Sequence, residues 1–193
     1  MQCLNVSTMK KTLLEVAKIK FGLHAQPSEY GEIRYIQARQ FDNAGKLNDN
    51  DYYFINLDEK SRHHLLRDGD VLFAGKGFRN FAWCYRRNLG SAIASSIFFV
   101  ITPNQDLIYP EFLAAIFNLP QSQTYFQQIG GGTNIVSIRK SELGTFSLPL
   151  PSLEKQKMIV EITNLHQSDL QLMHELIKLK EEHYKALISK IIE

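Results

Sequence analysis

Phe73-Ala74-Gly75-Lys76-Gly77 is the segment whose residue types and spacing come nearest to a reactive-site loop. Glycines spaced this way after a strand let the backbone approach a cofactor such as S-adenosylmethionine. No helix follows, since Phe78 to Trp83 is mixed, and no Asn-Pro-Pro-aromatic segment is present to hold a flipped base. The segment is read instead as a strand and a tight turn that projects Lys76, Arg79 and Asn80 outward. Asp58-Glu59-Lys60 fits half of a nuclease metal site, with Asp42 as its distant partner. Two carboxylates and a lysine could bind magnesium and activate a water. The pattern is short and common among polar residues, so a solvated loop is the favoured reading. No phosphate-cradling Gly-x-x-x-x-Gly-Lys segment, His-x-x-x-His or Cys-x-x-Cys occurs, which leaves a zinc site without support. Cys3 and Cys84 have no base beside them in sequence, and Cys84, next to Trp83, reads as a core thiol. No catalytic residue and no metal ligand is assigned.

Binding chemistry has more to work with. Gly130-Gly131-Gly132-Thr133-Asn134 is a loop in which three glycines allow close backbone approach to a ligand. Thr133, Asn134, Arg139 and Lys140 could contact phosphates or base edges. Equally, the glycines turn the chain and Arg139-Lys140 opens a short helix. The net charge of the 193 residues is only +2, but residues 60–87 carry +5, including Arg86 and Arg87. Such a bias can mark a surface that faces a polyanion, although a solvated face is the commoner explanation.

These side chains need a scaffold. At 44% hydrophobic and 22% charged residues, the composition is that of a folded globular protein. Two cysteines are too few for a disulfide scaffold, and no apolar run approaches the roughly 18 residues of a membrane helix. A cytoplasmic protein without a signal peptide is expected. Pro149-Leu150-Pro151 is the clearest boundary, separating a globular part, 1–151, from a helical part, 152–193. Ser152 is a plausible N-cap, and Leu153 to Ile192 contains no Gly or Pro, so a helix of about 60 Å is predicted. Its apolar seam runs through Ile162, Leu165, Leu172, Leu176, Leu179 and, after a one-residue shift, Leu187. A stripe this long cannot bury itself on a domain of 151 residues and calls for another helix, in a coiled coil or small bundle. Asp169 and His183, on the same seam, are each seven residues from Leu176. In an antiparallel pair they could meet across a two-fold axis near Leu176; alternatively, both lie at the edge of the seam and reach water.

Upstream, Thr12 to Lys20 is predicted as a short helix, Ile33 to Ile36 as a strand and Asp58 to Arg67 as a short helix. Asn43-Ala44-Gly45 and Asp68-Gly69-Asp70 are predicted turns, the second entering a strand at Val71-Leu72-Phe73. Ala92 to Ile101 is predicted as one strand. Pro110 and Pro120 each start a helix, and Ile135 to Ile138 and Phe146 to Leu148 are short strands. Strands scattered among helices without regular alternation give an α+β fold.

Several of these segments, in this order, resemble one family. Phe146-Ser147-Leu148-Pro149-Leu150-Pro151, followed by Gln156, Ile159 and a long helix, is similar to the Ile-Pro-Leu-Pro…Gln-x-x-Ile segment of type I restriction–modification specificity subunits. Leu66-Arg67-Asp68-Gly69-Asp70-Val71-Leu72-Phe73-Ala74-Gly75-Lys76-Gly77 resembles the Gly-Asp-Val-Leu-Phe…Gly segment of their target recognition domains. Tyr35 to Phe41, Pro110-Glu111-Phe112-Leu113 with Asn118, and Leu14 to Gly22 match further stretches. A full subunit carries two recognition domains and two long helices, whereas this chain carries one of each and looks like a half-subunit.

The resemblance implies a non-catalytic module that reads one half of a bipartite site on double-stranded DNA. Its partners would be methyltransferase subunits, with a restriction subunit as a further candidate, and S-adenosylmethionine would be bound only by the methyltransferase. Helix pairing would then require a homodimer, and a symmetric dimer should read an inverted repeat. The candidate DNA contacts are Lys76, Arg79, Asn80, Arg86, Arg87, Thr133, Asn134 and Arg139. Leu165, Leu172, Leu176, Leu179 and Leu187 are the candidate partner-helix contacts. A small metal-dependent nuclease using Asp42, Asp58 and Lys60, or an inactive spare recognition cassette, are the alternatives.

Overall fold

The computed structural model describes residues 9–42, 45–48, 52–131 and 136–192. The chain opens with β1 (Lys10–Thr12), a single helical turn α1 (Leu13–Val16) and β2 (Ala17–Phe21). Next come β3 (Ile33–Ile36), β4 (Phe54–Ile55) and the short α2 (Glu59–Arg62), then β5 (Val71–Ala74), β6 (Lys76–Gly77) and β7 (Ala82–Cys84). After β8 (Ala92–Ala94) and β9 (Phe98–Pro103), two helices follow, α3 (Pro110–Asn118) and α4 (Pro120–Ile129). β10 (Val136–Ser137), α5 (Lys140–Gly144) and β11 (Ser147–Pro149) lead into α6 (Leu153–Ile192).

A four-stranded antiparallel sheet ordered β2-β9-β5-β7 lies at the centre. Alternation along its two middle strands feeds two cores. Val71, Phe73, Phe99 and Ile101 pack with Phe112, Phe117 and Phe126 from α3 and α4. Leu72, Ala74, Phe98 and Val100 pack on the other side with Ile36, Phe41 and Phe81. Burying each phenylalanine contributes about 1.5–3 kcal/mol. With both faces covered, β9 reads as an unbroken apolar run. A second sheet, β4-β3-β8, contains one parallel pair, β3 with β8. β1 pairs with β11, and β6 with β10.

Three predicted elements differ. The helix expected from Thr12 to Lys20 is only the turn α1, and Ala17 to Phe21 is a strand. Ala17 and Ile19 are buried while Lys18 is exposed, a period-two alternation that the sheet rewards over the helical one. The single strand expected from Ala92 to Ile101 is two strands in different sheets, parted where Phe98 N–H bonds the Ser95 carbonyl. The helix expected from Asp58 to Arg67 stops at Arg62. The turn at Gly69 takes the left-handed φ of +84°, and Asp70 closes it by accepting from Arg67 N–H at 2.8 Å. Of the predicted Asn43-Ala44-Gly45 turn, Asn43 and Ala44 lie outside the described residues.

The long helix starts where predicted and runs through Ile192, the last described residue. Ser152 Oγ accepts from Lys155 N–H at 3.5 Å. Gln156 anchors the helix on the globular part. Its side chain is fully buried, donating to the carbonyls of Leu107 at 3.0 Å and Pro151 at 2.8 Å and accepting from Tyr109 N–H at 2.7 Å. Val160, one turn on, is the last buried residue. From 164 to 192 every residue is exposed, about 43 Å of helix. Lys46 Nζ reaches Gln171 Oε1 at 3.5 Å across this stretch. No described helix is long and apolar enough to cross a membrane.

Candidate nucleic-acid interface

The hairpin of β5 and β7 decides where the candidate DNA contacts stand. Its register pairs Val71 with Cys84 and Phe73 with Ala82. Residues 75–81 therefore form the turn at one end, and Tyr85 to Arg87 leave from the other, about 13 Å away. The β6–β10 pair opposes Ser137 to Lys76, and Ile138 N–H bonds the Gly75 carbonyl at 2.9 Å, which brings Arg139 to the turn end. The candidates thus divide into two groups, Lys76 with Arg139 and Arg86 with Arg87. The +5 stretch of residues 60–87 is not one surface.

At the turn end, Lys76 and Arg139 are exposed. Arg139 lies 4.0 Å from Glu142, which caps α5 by accepting from Arg139 N–H at 2.8 Å. Two expected contacts do not project outward. Asn80 is buried and donates to the Ala74 carbonyl at 2.7 Å, because the turn needs an internal donor there. Arg79 is half-buried, lying over the Phe81 ring at 4.8 Å and donating to the Phe41 carbonyl at 3.4 Å. Thr133 and Asn134 lie outside the described residues. Gly75 has a packing reason: a Cβ there would stand 2.3 Å from Phe99 Cε2.

At the other end, Arg86 is held between Asp68, at 3.0 Å, and Glu111 at the start of α3. Asp68 also accepts from Arg87 N–H at 2.8 Å. That amide bond, with the Arg86 guanidinium, holds the Asp68 carboxyl below the ordinary carboxylate value. Arg86 is thereby committed to the fold, while the Arg87 side chain is exposed. Two further cations escaped sequence reading. Arg34 sits over the Tyr52 ring at 4.4 Å and donates to the Leu89 carbonyl, and Arg39 sits over the Tyr53 ring at 4.1 Å. Neither cation lies near its aromatic partner in sequence, so no local pattern signalled the contact.

The carboxylates of the nuclease alternative serve local turns. Asp58 accepts from Ser61 N–H at 2.6 Å as the N-cap of α2, and Asp42 accepts from Lys46 N–H at 2.8 Å. Nothing is described of the Lys60 side chain. Among the described residues no group of three or more His, Cys, Asp or Glu could hold a metal. Burial pushes the Cys84 thiol up to about 11, far from a nucleophile's range.

Fold and surface together define a mixed α+β domain with a cationic turn and a projecting C-terminal helix. A family model described as the type I restriction modification DNA specificity domain matches residues 5–181, and the chain belongs to that family. Solved structures share the fold. The S subunit of a type I restriction–modification system from M. genitalium aligns at TM-score 0.59 and 14% identity, over 94% of this chain and 45% of that one. The HsdS subunit from Thermoanaerobacter tengcongensis aligns at 0.59 and 18%, over 88% and 40%. A chain from a structure concerned with complex assembly and conformational transition of the type I R-M system aligns at 0.64 and 18%, over 96% and 45%. This chain therefore spans less than half the length of each of those chains.

Proposed function

We propose that this chain is a sequence-specific DNA recognition component of a type I restriction–modification system. The match to the specificity domain across residues 5–181 carries the reading. The exposed Lys76, and Arg139 two residues beyond the strand paired with it, supply cations that a phosphate backbone would engage. In this reading the globular part reads one half of a bipartite site. The exposed face of α6 pairs with α6 of a second copy and offers a docking surface to methyltransferase subunits, with a restriction subunit as a further partner. Methylation belongs to the methyltransferase, which binds the methyl donor, and this chain does no chemistry of its own.

Selection from a randomised duplex library tests this, using the purified full chain alone and with the neighbouring methyltransferase subunit. The expected result is enrichment of a gapped inverted repeat. Recovery of no preferred sequence in either form would contradict recognition.

A further inference from the structure

We propose that Phe78 is a specificity-determining wedge that inserts between neighbouring base pairs of duplex DNA, an inference that rests on the DNA-recognition reading above. Phe78 is 84% exposed, the highest value for a large apolar side chain among the described residues. Single exposed apolar residues are ordinary, so exposure alone would mean little. What distinguishes Phe78 is how its turn is held. Behind the ring, Asn80 Nδ2 bonds the Ala74 carbonyl at 2.7 Å, and Ala74 N–H bonds the Phe81 carbonyl at 2.9 Å. Arg79 is laid flat on Phe81. In front, Gly77 takes a φ of +116°, and the space beside it is open. The backbone of the turn is therefore held on one side and open on the other, and it presents the Phe78 ring to solvent.

The neighbours choose the occupant. Lys76 is two residues away and exposed, and its strand pairs with the one that leads to the exposed Arg139. An apolar ring beside cations matches a base step between two phosphate backbones. A greasy protein pocket would not call for those charges. By contrast, Tyr30, almost as exposed, carries a hydroxyl for water, and most other large exposed apolar residues lie on α6.

The test uses the duplex that the full wild-type chain recovers from randomised DNA, with 2-aminopurine replacing each adenine in turn. Wild type should raise fluorescence at one unstacked position. Phe78→Ala should abolish that rise and weaken binding about tenfold, while Phe78→Leu, still an apolar wedge, should retain most of both. Unchanged affinity and fluorescence in Phe78→Ala, with weakened binding in Lys76→Gln plus Arg139→Gln, would overturn the wedge and leave DNA recognition standing. A changed oligomeric mass in Phe78→Ala would overturn it in favour of a protein contact. If wild type selects no sequence, the recognition reading fails and the wedge fails with it.

Discussion

Gln156 shows how one uncharged side chain can fix the geometry of a whole element. Its three hydrogen bonds all go to backbone groups, two before α3 and one at Pro151. Gln156→Leu would leave two carbonyls and an amide buried without partners. At about 1–3 kcal/mol for each orphaned group, a loss of about 3 kcal/mol or more is expected. Urea unfolding checks it, as a lowered midpoint with an unchanged slope; a loss under 1 kcal/mol would mean the groups find water instead. At this scale the sequence was only partly legible. Gln156 was visible as part of a motif, but its burial was not, because a polar residue's partners lie far off in sequence. Asn80 and Arg79 were misjudged for the same reason: sequence shows a polar residue beside a turn, not the carbonyl it turns back to. Gly75 had the spacing of a ligand loop, yet the nearest demand on it is the Phe99 ring.

Among the elements, local pattern served best where periodicity was long and was ambiguous at several short ones. The forty residues of α6 carry a proline boundary, a cap and a repeating stripe, and the start of the helix was found to the residue. The four-residue α1 and the strand β2 share one amphipathic run, and only pairing with β9 decides between helix and sheet there. The split of β8 from β9 was hidden because both strands are buried on each face. The apolar stripe of α6 stands exposed. Leu172 is 63% exposed and Leu179 61%, so neither supports the globular part. If α6 pairs with a second copy as proposed, Leu172→Asp plus Leu179→Asp should leave the fold and its circular dichroism intact and convert the proposed dimer to a monomer by light scattering. A double variant that stays dimeric would place the self-association elsewhere.

Over the whole molecule, charge and topology say more together than either alone. The basic bias of residues 60–87 suggested one surface. The hairpin puts its ends about 13 Å apart, one end committed to Asp68 and Glu111 and the other exposed at Lys76. Which cations face outward was therefore not readable from the chain, whereas the α+β class and the order of family segments were, since those depend on local pattern and sequence order. The family match and the shared fold agree with that order. On the proposed reading, this chain directs a methyltransferase to a sequence. Mapping methylated bases across the genome of cells that co-express the chain with its neighbouring methyltransferase subunit tests it most directly. A gapped inverted-repeat motif should appear, and it should disappear when the chain is omitted. Methylation that is the same with and without the chain would contradict it.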